Sequence, residues 1–481
     1  MLADLRALTC LFVVWKLLLL CIAYASPGPG YDTSTTLLLA RAQPSVTENT
    51  LLEDFAKRLV SNLVRWDALY FVSVARRGVV FEQEWAWGWG YTKFLALVSK
   101  GWSNIYKFSR VPGLNSTSVL PSASSQPPLF VQAYAGVLIS HVSHLLSVFV
   151  LYGLVNRLPI VDKPRRRKIA FIAASLHVFS SAGLFLSAPY SESLFALLNF
   201  FGVFVHAGIP CEMPLEEYGL SSLISLLLSG ASFGLATTVR SNGIFSGLIY
   251  FYHVYMLYYS RITIRTIVTI AVIGLSAAMI LSGMLLPQYI AYQDYCVAPS
   301  DGNLRPWCSR SLPSIYSWVQ EHYWNVGFLR YWTVSNIPLF LLALPMLCIL
   351  IGTGLAAPRL KLETARQSSK QHFNHASVYI SCLALPQILL AILAFTIFHV
   401  QIVNRIATGY PIWYIVLAAA IVSPSMTSRD DKTIRSKDAS SLVATLQHHL
   451  SKQSTQQLVV RGMFMYSIIQ GGLYASFMPP A

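Results

Sequence analysis

The sequence predicts an all-α, polytopic transmembrane bundle. Three observations carry that. Hydrophobic residues make up 54% of the 481 residues and charged residues only 11%. Mean hydropathy is +0.53. Apolar runs of about 20 residues, the length a helix needs to cross a bilayer, recur along the chain. A soluble protein of this length could not cover its surface with so few charges. The formal net charge of +15 does not indicate nucleic acid as a partner, because much of the excess sits in short loops between apolar runs, as the positive-inside rule expects.

Residues 8–25 form the first span, with a cleaved signal peptide as the alternative. Ala23-Tyr24-Ala25 resembles a cleavage site, but Arg6 alone makes a weak basic leader. Lys16 falls inside the span and either snorkels to the interface or faces the bundle. Residues 26–130 are less hydrophobic and form a first large loop. Thr50 and Glu53 have capping-box spacing. Leu51, Phe55, Leu59 and Leu63 then recur at i+4, which predicts an amphipathic helix lying along the membrane. If that helix continues, Asp67 is next on the stripe, a carboxylate among Trp66, Tyr70 and Phe71. An ionised carboxylate is costly to bury unless paired. The plain reading is a helix-end Asp facing water.

The run Glu82-Gln83-Glu84-Trp85-Ala86-Trp87-Gly88-Trp89-Gly90 suits either an interfacial anchor or a sugar-binding surface. A second membrane-parallel helix is expected over 91–108. Asn115-Ser116-Thr117 is the chain's N-x-[ST] acceptor for glycosylation, in a Ser/Pro-rich stretch that ends at 128. The second span is 131–155. Arg157, Lys163, Arg165, Arg166, Arg167 and Lys168 follow it, the densest basic cluster, and belong to the cytosol. The 26–130 loop then lies on the opposite, lumenal face, where Asn115 can be glycosylated.

Further spans are expected at 169–188, 190–208, 220–238, 243–258, 266–286, 333–356, 376–399, 409–424 and 459–478, about eleven in all. Basic residues at 261, 265, 359, 361, 366, 370, 429, 432, 435 and 437 mark cytosolic turns. Residues 287–332 form a second large lumenal loop and 425–458 a cytosolic one, so residues 1–481 read as one membrane domain. Cys296 and Cys308 share the 287–332 loop, where a disulfide is plausible chemistry. No Cys/His ligand spacing suggests a metal.

This map sorts the polar residues by face. Asp67, Glu192, Arg240, Asn242, His399 and Arg405 all fall at lumenal span ends. Ionisable residues at membrane depth are expensive and usually face the bundle interior or a wet cavity. Each has a plain alternative: Glu192 pairing with Arg240, Arg240 and Arg405 snorkelling to headgroups, His399 as a neutral interfacial residue. The aromatics of 324–332 are either a membrane belt or a sugar platform. A transporter or scramblase is the rival class, and a non-catalytic subunit of a glycan-assembly complex is another. A transporter predicts internal repeats or mid-span charges, and Lys16 is the one clear mid-span charge.

Six motifs occur in a fixed order: Arg-Trp-Asp-Ala-x-Tyr-Phe (65–71), Tyr-Ser-Glu-Ser-Leu-Phe (190–195), Arg-Ser-Asn-Gly (240–243), Arg-Pro-Trp-Cys-Ser (305–309), Val-Gly-Phe-Leu-Arg-Tyr-Trp (326–332) and His-Val-Gln-Ile-x-x-Arg (399–405). Together they resemble the PIG-V family of endoplasmic-reticulum mannosyltransferases. Residues 110–128 and 425–458 match no family motif. The resemblance implies a GT-C type fold with its active site at the lumenal membrane surface. It implies transfer of mannose from dolichyl-phosphate mannose to a GPI-anchor precursor, as the second, α1,6-linked mannose. Donor and acceptor are both lipid-linked, no cofactor is called for, and a small membrane subunit is a possible partner, as in fungal members. A β-linked donor giving an α product means inversion by single displacement. Asp67 then reads as the general base, and Arg240 or Arg405 as the binder of the leaving phosphate. Arg65, Trp66, Tyr70, Glu192, Asn242 and His399 read as substrate-binding residues.

Overall fold

The computed structural model describes residues 1–27, 32–35, 38, 51–108, 129–158, 163–297, 302, 304–360, 370–422 and 452–478. Thr50, Asn115 and most of the 425–458 loop lie outside them. Among the described residues there is no β-strand. The all-α expectation holds.

The helices are α1 (Leu2–Ala25), α2 (Leu51–Leu63), α3 (Asp67–Arg77), α4 (Trp89–Phe108), α5 (Leu129–Arg157), α6 (Lys163–Val178), α7 (Glu192–His206), α8 (Leu220–Val239), α9 (Phe251–Leu257) and α10 (Ile264–Tyr292). The chain continues through α11 (Ile315–Trp324), α12 (Ile337–Ala356), α13 (Lys370–Thr396), α14 (Val403–Ile406), α15 (Ile412–Val422) and α16 (Gln453–Ala475). α5 packs on α6 and α7, α7 on α8, α8 on α10, α12 on α13, and α1 on α16. α8 and α10 cross closely because Gly234 faces the Met279 backbone and Gly283 faces the Gly234 backbone, where a Cβ would collide. Small residues at such crossings let helices meet without a hydrophobic driving force from water.

The expected eleven spans are not all long, apolar helices. Six helices among the described residues are long and apolar enough to cross a membrane, and a pair bent by 78° (Val400–Gly409 with Ile412–Val422) makes a seventh if taken as one span. Of the four remaining apolar runs, three are broken or short, and the fourth, α16, is a continuous 23-residue helix that is less apolar. The run at 169–188 stops as an α-helix at Val178 and resumes as a 3-10 turn over Gly183–Leu186. α7 has only 15 residues. The run at 243–258 divides into a ten-residue 3-10 segment, Ser241–Tyr250, and the short α9. α16 carries Gln456, Gln457, Arg461 and Gln470, which lower its hydropathy. Composition reports that a run is apolar, not that its helix is unbroken. A packed bundle can satisfy an interrupted backbone from neighbouring elements.

The bundle has two chemically distinct ends. At one, Arg167 of the basic cluster donates from Nε and Nη2 to Asp4 at 2.6 and 2.8 Å, and the Tyr152 hydroxyl donates to the same carboxylate at 2.7 Å. At the far end of α1, Asn62 Nδ2 donates to the Ala23 carbonyl at 2.9 Å. Asp4 and Ala23 lie within the one helix α1, 19 residues apart in sequence, so about 29 Å separates these contacts. Asn62 also accepts from Arg65 Nη2 at 2.8 Å, which places the Arg-Trp-Asp stretch opposite the basic cluster. Between them Lys16 faces the bundle rather than the interface. It is buried and donates to the Leu186 carbonyl at 2.8 Å and Ser187 Oγ at 2.9 Å.

At the same end as Asp67, a small second core surrounds Trp85 and Trp307, with Ala291, Ile315 and Val319. Cys296 and Cys308 are disulfide-bonded there, with Cα atoms 5.6 Å apart. Glu84 fastens the preceding turn. It pairs with Arg77 and accepts the Val80 and Phe81 backbone N–H groups at 2.8 and 3.1 Å. Burial alone would raise the Glu84 carboxyl, but these donors hold it below its ordinary value.

Candidate active site

The amphipathic helix expected to run on into Asp67 does not continue. α2 ends at Leu63, and Asp67 is the first residue of a new helix, α3. Trp66 caps α3 at φ +54° and ψ −128°, a region costly for any residue with a Cβ. Strain of this kind costs about 1–3 kcal/mol and persists only where surrounding structure imposes it. The break turns Asp67 away from the α2 stripe. It also sets the carboxylate at a helix N-terminus, where the helix dipole favours negative charge.

Asp67 opens onto a cavity of about 330 Å³. Trp66, His399 and Arg405 line it, together with Gln401, Asn404 and Tyr190. Arg405 Nη1 donates to Asp67 Oδ2 at 2.9 Å. Its Nε lies 2.8 Å from Glu192 Oε1, and its guanidinium sits over the Phe185 and Tyr190 rings at 4.9 and 5.3 Å. Glu192 Oε1 also accepts from Arg240 Nη1 at 2.8 Å. The result is an alternating chain, Asp67–Arg405–Glu192–Arg240, with two negative and two positive charges. Alternation lets each buried charge meet an opposite neighbour, the condition under which such groups can leave water.

The two acids are not equivalent. The Glu192 side chain is wholly buried, whereas that of Asp67 is 24% exposed. Asp67 can therefore touch a ligand in the cavity, and Glu192 acts on its arginines. The arginines differ too: Arg405 lines the cavity and Arg240 stands behind Glu192. Burial pushes the Asp67 carboxyl above its ordinary range, and the attraction of Arg405 opposes that without cancelling it.

Arg240 follows α8 directly. It donates to Ser191 Oγ at 3.0 Å and, through Nε, to Asn242 Oδ1 at 3.3 Å. Asn242 in turn donates to the Tyr410 hydroxyl at 2.9 Å. Gly88 and Gly90 bring the tryptophan-rich turn against Val239 and Thr238, beside Arg240. A Cβ at either position would collide with that end of α8. His399 Nε2 lies 3.0 Å from the Trp324 carbonyl, and its ring stacks on Tyr331.

Glu192, Arg240 and Asn242 stand off the cavity lining but belong to the charge chain or bond to it, while two expected binding residues sit elsewhere. Arg65 is buried behind the cavity, bonded to Asn62, with its guanidinium 4.9 Å from the Phe477 ring centre. Tyr70 is exposed and stacks on Trp87 at 5.2 Å. Conversely, Ser181, Phe185, Leu339 and Tyr466 line the cavity without having been singled out. They are small, apolar or aromatic residues within runs that read only as spans, so their residue types carried no signal.

A buried acid–arginine chain at one end of a multi-pass helical bundle, with one carboxylate open to a cavity, is the setting of a membrane-embedded group-transfer enzyme. Comparison with known proteins makes the class definite. The family model described as Mannosyltransferase (PIG-V) matches residues 5–481. A protein of Aspergillus oryzae named GPI mannosyltransferase 2 is 37% identical across 99% of this chain and 96% of its own length. One of the same name from Chaetomium globosum is 38% identical across 99% and 96%. The chain belongs to the PIG-V mannosyltransferase family. It is a multi-pass membrane glycosyltransferase. Among solved structures, the apo oligosaccharyltransferase of Archaeoglobus fulgidus is similar at 10% identity and a TM-score of 0.42, over 93% of this chain and 56% of that longer one. At that score the likeness carries no argument.

Proposed function

We propose that the chain transfers the second, α1,6-linked mannose from dolichyl-phosphate mannose to the GPI-anchor precursor. The reaction takes place at the lumenal face of the endoplasmic reticulum, on a bundle of the GT-C type. The names of the relatives from Aspergillus oryzae and Chaetomium globosum support the pathway. One observation carries the chemistry: Asp67 is the acid of the charge chain that is open to the cavity, and it touches the cavity's arginine at 2.9 Å.

Asp67 takes the proton of the acceptor 6-hydroxyl as that oxygen attacks the anomeric carbon. The carbon–oxygen bond to the donor phosphate breaks on the opposite face, giving inversion. Arg405 receives the phosphate as it gains charge. A guanidinium matches phosphate oxygens in pairs, and a preset cation costs no reorganisation when charge develops. Glu192 orients Arg405 and Arg240, and Trp66 and His399 flank the sugar. The leaving group is already a phosphate, so no general acid, metal or other cofactor enters the scheme.

Asp67→Asn tests this reading. It keeps the shape and a hydrogen-bond acceptor and removes the base. Mannose transfer in membranes with equal protein should fall by about 10²–10⁴-fold. Transfer at the wild-type rate would refute the assignment.

A further inference from the structure

Two backbone carbonyls are stranded where α2 stops and α3 has not begun, those of Leu63 and Val64, while the Arg65 carbonyl keeps one local partner, the Ala68 N–H at 3.1 Å. Buried carbonyls need partners, and here distant residues supply them. Thr35 Oγ1 donates to the Val64 carbonyl at 2.6 Å. The Tyr474 hydroxyl, from the end of α16, donates to the Leu63 carbonyl at 2.7 Å and receives the Arg65 N–H at 3.4 Å. The Tyr190 hydroxyl, just before α7, donates to the Arg65 carbonyl at 3.2 Å. Two tyrosines from separate parts of the chain thus brace both sides of Arg65. The next residue is the strained Trp66, and the one after it is Asp67.

The same rings reach the other partner of the site. Phe185 packs on Tyr190 and Tyr474 with centroids 4.9 and 5.1 Å apart, and the two tyrosine rings are 5.9 Å apart. Arg405 lies over Phe185 and Tyr190. The aromatic cluster therefore touches the backbone leading into Asp67 and also carries the guanidinium that Asp67 contacts. Tyr190 and Tyr474 are fully buried, and nothing in the transfer chemistry requires a phenol at position 474.

We propose that Tyr190 and Tyr474 are positioning residues for transfer. Their hydroxyls hold the 63–66 break in place against the strain at Trp66, and so fix the Asp67 carboxylate relative to Arg405. The proposal rests on Asp67 being the general base. Replacing both tyrosines by phenylalanine retains the ring packing and removes only the clamping oxygens.

The experiment uses the full-length chain in detergent with both lipid substrates, normalised to folded protein by thermal unfolding. In the Tyr190→Phe, Tyr474→Phe double variant, kcat should fall by roughly 10²-fold, the scale of a misplacement near 1 Å. KM for either lipid should change by less than about twofold. The acid limb of the pH profile should move upward as the pull of Arg405 on Asp67 weakens. The single variants, each losing one hydroxyl, should show the same pattern at smaller size and serve if the double variant does not fold. An unchanged kcat in folded protein, or a loss confined to KM, overturns the clamp. Asp67→Asn runs alongside. If it keeps wild-type transfer, the base assignment falls and takes the clamp with it. If it abolishes transfer while the phenylalanine variants turn over normally, only the clamp falls.

Discussion

Arg405 Nη1 donates to Asp67 Oδ2 at 2.9 Å across 338 residues of sequence. This contact joins the first motif of the chain to the last. It also makes the ionisation of Asp67 and the charge of Arg405 a single problem, because each sets the field the other feels.

The first consequence is in the pH profile. Burial raises the Asp67 carboxyl above its ordinary value of 3.8, with Arg405 opposing. A base works in its ionised form, so transfer should be lost as pH falls through this raised value, at a higher pH than for an ordinary aspartate. Arg405→Gln removes the opposing attraction and should move the acid limb of the residual activity higher still. Initial rates against pH in both proteins check this, and a limb that moves downward would contradict it.

The two arginines should differ under the same substitution. Arg405 reaches Asp67 and Glu192 from different nitrogens and lines the cavity. A lysine has one charge point and cannot span both acids. Arg405→Lys should lower kcat at least tenfold, on the order of one lost charge-stabilising contact. Arg240→Lys stays outside the cavity and should lose less. Parallel kinetics on the two variants decide the order.

Glu192 is expected to show itself in stability as well as rate. It is fully buried between two guanidiniums. Glu192→Gln leaves both without their shared anion, and uncompensated buried charge costs about 3–5 kcal/mol. Thermal unfolding in detergent should register a clear loss, larger than that of Asp67→Asn, whose side chain is partly open. Equal unfolding temperatures for the two variants would contradict this.

Gly88→Ala is predicted to damage the site from outside. Its new methyl collides with the Val239 backbone, one residue before Arg240. Overpacking of this type costs about 1–3 kcal/mol. Activity should fall along with stability, because the displaced element carries Arg240. Gly101→Ala is the control, since its Cβ would meet nothing within 4 Å.

Much of this arrangement was legible in residue types and order. Apolar content and run length announced an all-α membrane bundle, because the bilayer demands them whatever the tertiary fold. Basic clustering separated two ends, and Asp4–Arg167 and Asn62–Ala23 lie at opposite ends of α1 accordingly. Asp67, Glu192, Arg240 and Arg405 stood out because charge is rare in such a sequence. The Glu192–Arg240 pair was among the sequence expectations and is present, but the link through Arg405 to Asp67 was not, because residues hundreds of positions apart meet only through packing.

Three matters were decided by tertiary structure alone. The number of continuous long helices depends on where neighbours can satisfy a broken backbone, which no hydropathy window reports. The break before Asp67 runs against the apolar stripe of α2, and Thr35, Tyr190 and Tyr474, distant in sequence, bond to its carbonyls. The different tasks of Asp67 and Glu192 follow from exposure, 24% against none. A sequence can mark two rare carboxylates, but solvent access is a property of the assembled surface. It is the packing around them that leaves one open to the cavity and closes the other between two arginines.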